Sequence, residues 1–369
     1  MRRIIVVVVM ALAACAPRGN FASVPQGAKV EATEAIFVGT TRKAGDAGGF
    51  GRERSDDAHF LRYDIAIPVD RDPGELTWPP TVGKPDVAKH FLTQNALLFD
   101  GSDSFRNSLR EAMRIRKQTS AVVYVHGFNT RMAEGVYRVA QMHHDLKVPG
   151  VAVHYAWPSR GSALGYVYDR DSMLYSRSGF EDLLNEVAGA GAKDIIVVAH
   201  SMGAALTMET LRQMALRHRS NALDRVAGVI LISPDLDLDV FRSQAKDIGK
   251  LPEPFLVFGN SRDRVLGLSA TLSGTGERLG NLEDVSAIAD QKIIYLDTAA
   301  YNTGDGHLNL GENAALLSLF AGLVGIDEAF RADARARVGL LPGLVLTVRN
   351  ATEVILSPIG ELGEVRAGR

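Results

Sequence analysis

The chain has 369 residues, 46% of them hydrophobic and 23% charged, with a formal net charge of -2. That is an ordinary globular composition, long enough to bury a large core, and it excludes a basic nucleic-acid-binding stripe. The single cysteine, Cys15, excludes an intramolecular disulfide.

Arg2 and Arg3 precede an apolar run, Ile4 to Leu12. The run is far shorter than the roughly 20 residues a membrane-spanning helix needs, so it reads as an export signal over residues 1–16. Leu12-Ala13-Ala14-Cys15 resembles a bacterial lipobox, which implies a lipid anchor on Cys15. Ala16 follows the cysteine where some lipoproteins carry an acid. By resemblance to Gram-negative lipoproteins, that implies an outer-membrane protein facing the periplasm. Two other readings stand beside it. Ala14-Cys15-Ala16 also fits an ordinary cleavage site, giving a soluble periplasmic or secreted protein, and the run fits a buried first strand with a chance cysteine.

Residues 17–33 are small and polar and read as a flexible tether. Ala35–Gly39 and Arg62–Ile67 read as early strands. The Gly- and charge-rich stretch Lys43–Asp57 and the proline-rich stretch Pro68–Asp86 read as loops. Six short, nearly continuous apolar runs follow: Ala121–Val125, Val151–Tyr155, Asp194–Ala199, Val226–Ile232, Phe255–Phe258 and Lys292–Leu296. Runs of this kind suit parallel strands covered on both faces. Helix-length segments lie between and after them, at about 131–146, 178–190, 203–218, 238–246, 279–289 and 311–333. The alternation predicts a doubly wound α/β fold, a mostly parallel sheet with helices on both faces. Val338–Ile359 reads as a final strand pair packed on the domain, with a partner-binding surface as the alternative.

Val197-Val198-Ala199-His200-Ser201-Met202-Gly203-Ala204 carries the most chemistry. A buried strand runs straight into a serine and then into a helix of small residues. A nucleophile elbow demands that context, with small residues two before and two after the serine; here they are Ala199 and Gly203. The alternative for Ser201 is a plain helix cap. The geometry would raise Ser201 Oγ above the carboxyl edge of the sheet. It would also leave the Met202 N–H at a helix start, ready to donate to an oxyanion. His126-Gly127-Phe128-Asn129 follows the Ala121–Val125 run, where a second donor is expected. Phe128 N–H is that candidate, and His126 is read as shaping the loop.

In such enzymes an acid and then a histidine follow the serine in the chain. Asp263, in the loop after Phe255–Phe258, is the expected acid, with Asp235 in Ser233-Pro-Asp-Leu-Asp237 as the alternative. His307, in the Gly-rich stretch from Asn302, is the expected base. His218 sits at a polar helix end, and Asp305 reads as a turn residue. Trp157, Tyr166, Tyr168 and Tyr175 are candidates for lining an acyl pocket or for packing a loop over 161–177.

The chain resembles an α/β-hydrolase. More narrowly, it is similar to a bacterial esterase-like family of unknown function. The resemblance rests on Phe37–Arg42, Asp64–Pro68, Tyr124–Asn129, Ala156–Ser159, Ala199–Gly203, Ser233–Asp237 and the Asp263 loop into Arg278–Gly280, spanning about residues 35 to 325. It implies a hydrolase domain over 34–335 with a C-terminal extension over 336–369. It also supports Ser201, Asp263 and His307 as the reacting set. The expected reaction is carboxylic ester hydrolysis through an acyl-enzyme on a small-molecule or lipid acyl substrate. No cofactor is needed, and the sequence has no metal-ligand cluster such as H-E-x-x-H. A lipase, thioesterase, amidase or acyltransferase would use the same residues, and a non-catalytic envelope scaffold would keep only the fold.

Overall fold

The computed structural model describes residues 19–45, 49–217, 221–274, 277–301, 306–307, 343–348 and 351–356. Cys15 with its surrounding segment, His218, Asp305 and the helix expected over 311–333 lie outside them.

The elements in chain order are β1 (Ala32–Ala44), β2 (Phe50–Ile67), β3 (Leu92–Leu98), α1 (Ser102–Arg116), β4 (Ser120–Val125), α2 (Met132–Asp145), β5 (Val151–Tyr155), α3 (Tyr166–Tyr175), α4 (Arg177–Gly189), β6 (Asp194–His200), α5 (Met202–Leu216), β7 (Val226–Ile232), α6 (Leu238–Ile248), β8 (Phe255–Gly259), α7 (Arg264–Ser273), β9 (Ile294–Asp297), β10 (Gly343–Val348) and β11 (Ala351–Leu356). They build one sheet in the order β10-β11-β9-β8-β7-β6-β4-β5-β1-β2-β3. All pairs from β11 to β1 are parallel, and only β1–β2, β2–β3 and β10–β11 are antiparallel.

Alternation along the strands sorts the core into two layers. Val123, Val125, Val197, Ala199, Leu231 and Val257 pack on one face with α1, α4, α5 and α6. Tyr124, Val198, Ile230, Ile232 and Leu256 face the other way with α2. Burial on both faces is why these strands read as unbroken apolar runs, and the helices on both faces make the sheet doubly wound as expected.

The departures from the sequence reading are local. Lys43–Asp57 is no loop: β1 and β2 run through it as a long hairpin, with Arg42 opposite Arg54 and Ala44 opposite Phe50. Its strands extend into solvent, so charged residues occupy both faces and erase the apolar alternation. The expected helix over 279–289 is two 3-10 turns, Leu279–Asn281 and Val285–Ile288. This segment is pulled onto the loop after β7, where Leu279 N donates to Leu236 O and Gly280 N to Pro234 O. The expected loop over 161–177 contains a 3-10 turn at Ala163–Gly165 and then α3. Helix α1, with Phe105, Leu109 and Met113 buried at four-residue spacing, was not anticipated, nor was β3. The C-terminal strands form an antiparallel pair, and β11 joins β9 in parallel register, Thr352 opposite Ile294.

The strand order reverses direction around β4, which sits between β5 and β6. Crevices for ligands open at such switch points, outside the carboxyl ends of the strands. The ends here are level: Val125 lies opposite Ala199, His200 opposite Ile232, Ile232 opposite Phe258, and Gly259 opposite Asp297. Five loops therefore start from one edge.

Candidate active site

Ser201 follows β6 immediately and takes φ 52° and ψ −121°, a conformation that L-residues rarely adopt. Strain of this kind costs on the order of 1–3 kcal/mol and persists only where the surroundings over-determine it. Here they do. Ser201 N donates to Ile232 O at 2.9 Å, and Ser201 O accepts from Ala204 N at 3.0 Å and Asp235 N at 3.2 Å. The small flanking residues follow from the same turn: a Cβ on Gly203 would stand 2.4 Å from His126 O and 2.6 Å from Val125 O. Ser201 is 5% exposed, and Met202 after it opens α5, where a first-turn N–H has no intrahelical acceptor.

The loop after β4 lies directly against this turn. A Cβ on Gly127 would meet His200 Nδ1 at 2.8 Å and the Ser201 Cβ at 2.9 Å. Phe128, the candidate donor, is therefore held beside Ser201. His126 does shape the loop, and its ring is buried. Nδ1 lies 2.8 Å from Gly127 O and Nε2 3.0 Å from Trp157 O. Burial, then the nearby His154 and Arg42, holds the imidazole neutral far below its usual pKa. Trp157 stacks on the ring at 4.8 Å and donates from Nε1 to His126 O at 2.7 Å. It is 0% exposed, so it braces the loop and lines no pocket.

A second brace centres on the buried Asp169. The Asp169 carboxylate accepts from Ser159 Oγ at 2.6 Å, Arg160 N at 2.6 Å and Asn129 N at 3.2 Å. Asn129 itself has φ 59°, so the Asp169 contact fixes an unusual turn just after Phe128. Arg42 donates to Thr130 O at 2.9 Å and Ser159 O at 3.2 Å. Burial pulls its pKa down to about 10, against the attraction of Asp169 and Glu134. The β1 end, the β4 loop and the β5 loop are thus tied into one polar knot.

His307 Nδ1 lies 2.8 Å from Asp263 Oδ2. The other carboxylate oxygen accepts from Leu266 N at 2.9 Å and so caps α7. With both oxygens engaged, the carboxylate has little freedom to swing away. The His307 ring sits 5.1 Å from that of His200, the residue before Ser201. Asn260 fixes the histidine's backbone: its Nδ2 donates to Gly306 O at 3.0 Å while its own N–H donates to Gly280 O at 2.8 Å.

Asp235, the alternative acid, is engaged elsewhere. It accepts from Ser269 Oγ at 2.5 Å and from the Tyr166 hydroxyl at 3.0 Å, and it faces Arg278 Nε at 3.5 Å. Burial, then the Asp235 charge, raises the Tyr166 phenol above its usual pKa. Tyr166 meets Phe128 edge-on at 5.5 Å, which puts it at the site. Tyr168 and Tyr175 lie further out, donating to Arg52 O and to Asp56. Asn260, His200 and Asp169 were not singled out from the sequence. Asn260 was legible only as a polar residue directly after an apolar strand.

A parallel sheet whose central strand enters a strained serine turn, with an Asp-His pair on the loops of later strands, defines an α/β-hydrolase. The sequence matches, over residues 101–325, the profile of a family described as alpha/beta hydrolase of unknown function, DUF900. The chain belongs to that family, and it is a hydrolase. Among solved structures it aligns with an esterase B from Lactobacillus rhamnosis, at 12% identity over 80% of this chain and 87% of that one, with TM-score 0.40. It also aligns with a Pyrobaculum calidifontis esterase at 14% identity, covering 80% and 85%, TM-score 0.35. A Rhizomucor miehei esterase aligns at 9% identity, covering 82% and 86%, TM-score 0.37. No curated protein sequence matches.

Proposed function

We propose that the chain hydrolyses carboxylic esters through an acyl-enzyme on Ser201. His307 Nε2 takes the Ser201 proton as Oγ bonds to the acyl carbon. The carbonyl oxygen becomes an oxyanion held by the Met202 and Phe128 N–H groups. The bond to the alcohol oxygen breaks, and that oxygen takes the proton from His307. Water, deprotonated by His307, then attacks the acyl carbon; the bond from that carbon to Ser201 Oγ breaks and Oγ takes the proton back from His307, releasing the carboxylic acid. Asp263 keeps the imidazole in the tautomer with the proton on Nδ1 and balances the imidazolium.

The observation that carries this reading is the 2.8 Å contact between His307 Nδ1 and Asp263, beside the strained turn of Ser201. It favours Asp263 over Asp235 as the acid. Tyr166 and Phe128 would then face the acyl group. The envelope location belongs to the same proposal, with Cys15 as the lipid-carrying residue.

A fluorophosphonate probe tests the reading, with the adduct mapped by mass spectrometry. Labelling at Ser201, absent in Ser201→Ala and much slower in His307→Ala, is expected. A folded protein that takes no label would remove the catalytic reading and leave a scaffold. Mass spectrometry of the mature N-terminus separates lipidated Cys15 from a cut beyond it.

A further inference from the structure

Two helices flank the Ser201 edge, and both turn large aliphatic side chains to water. Helix α3 leads in from β5, and α7 is capped by Asp263. They lie side by side: the Tyr166 hydroxyl sits 2.6 Å from Ser269 Oγ, and Arg170 Nη1 donates to Ser273 Oγ at 2.9 Å. With Ser269 and Ala270 buried, the outward residues of α7 are Val265 at 37%, Leu268 at 61% and Leu272 at 65% exposure, together with Arg264 and Thr271. Beside them, Leu164 is 98% and Val167 76% exposed. The residues of α7 include no acid. Helix α1, by contrast, turns Arg110, Glu111 and Arg114 to solvent in the ordinary way. A cluster of exposed aliphatic side chains at a site mouth marks a surface that meets something.

The charges beside the rim say what. Arg160, Arg170, Arg262 and Arg264 are exposed on these two segments, against Asp171 as the exposed acid among their described residues. The hairpin of β1 and β2 beside α3 adds exposed Arg52, Glu53, Asp56 and Asp57, with Asp56 on the Tyr175 hydroxyl, and the rim stays net positive in a chain that carries -2. A two-fold contact between copies would bring like charges together. Aliphatic side chains flanked by arginines instead match the boundary of an anionic bilayer, with acyl chains beneath and phosphates above.

We propose that α3 and α7 dock on an anionic phospholipid surface, holding the mouth of the Ser201 site against the membrane. That this delivers a lipid ester to the nucleophile rests on the catalytic reading above; the docking itself does not.

The test uses the full chain with Cys15→Ser, so that one introduced thiol carries an environment-sensitive fluorophore. The thiol is placed by Leu268→Cys, by Leu164→Cys, or by Ile115→Cys. Ile115 is 65% exposed near the end of α1, just before β4 begins, so it reports the opposite edge of the sheet. Vesicles of phosphatidylcholine with about one-third phosphatidylglycerol are expected to blue-shift the Leu268 and Leu164 probes and raise their intensity roughly twofold. The Ile115 probe should not respond, and pure phosphatidylcholine should act far more weakly. No change at Leu268 and Leu164 overturns the proposal, as does an equal change at Ile115. A change that appears without lipid and grows with protein concentration assigns the rim to a second copy and also overturns it. Since no turnover is read, failure here leaves labelling of Ser201 untouched, and the reverse holds.

Discussion

Replacing Asp263 by asparagine separates the two duties of one carboxylate. Oδ1 caps α7 through Leu266 N, and Oδ2 meets His307 Nδ1. Asparagine retains one carbonyl oxygen, which can keep the cap. Its amide nitrogen then faces His307 Nδ1 as a donor, forcing the imidazole proton onto Nε2, where it cannot accept from Ser201. Loss of the right tautomer in such a site costs about 10⁴ in rate, or about 5 kcal/mol of transition-state stabilisation. The cap is worth about 1 kcal/mol and is largely spared, so the thermal midpoint should move by only a few degrees. The assay is kcat/KM on a chromogenic short-chain ester alongside calorimetry, with Asp235→Asn run in parallel. Activity within tenfold of the parent for Asp263→Asn, together with collapse for Asp235→Asn, would refute the assignment.

Two further outcomes follow from the same geometry. Gly203→Ala sets a methyl group 2.4 Å from His126 O, a backbone atom that cannot move without carrying the β4 loop with it. A loss of about 3 kcal/mol in urea unfolding is expected, with fluorophosphonate labelling at least roughly tenfold slower. Acid should weaken the fold through His154, whose pKa burial and then Arg42 lower to about 3, despite its contact with Tyr124 O. The folded pKa lies below the unfolded one, so this stabilisation is complete above the ordinary value of 6.5 and is lost as pH falls towards about 3. The group alone gives a slope of about 1.4 kcal/mol per pH unit within that window, and urea midpoints of the parent and His154→Phe would show whether it vanishes.

The parallel core and the serine turn were legible because their constraints are written in local sequence. A strand buried on both faces has to be apolar throughout, and a tight strand-to-helix turn has to be flanked by small residues such as Ala199 and Gly203. The His-Gly loop and the order of Ser201, Asp263 and His307 followed from topology. What escaped had no local signature. The β1–β2 hairpin carries charge on both faces, so it reads as a loop. Helix α3 hides Asp169 and Ser172 while exposing Leu164 before it and Val167 within it, the inverse of an ordinary amphipathic pattern. Asp169 and Asn260 matter through partners far along the chain, Asn129 and Gly306, which spacing alone does not pair.

The position of β11 bears on how the protein is born. Strand β9 precedes the His307 loop, and its outer neighbour, β11, is formed by Ala351–Leu356, which are made after Ser201, Asp263 and His307. During synthesis β9 therefore has an open edge until Ala351–Leu356 has emerged from the ribosome. A product cut short before Ala351 carries Ser201, Asp263 and His307 yet leaves that edge bare. Such a fragment is primed for strand-to-strand aggregation, so the fold ties safe possession of these side chains to the later arrival of β11.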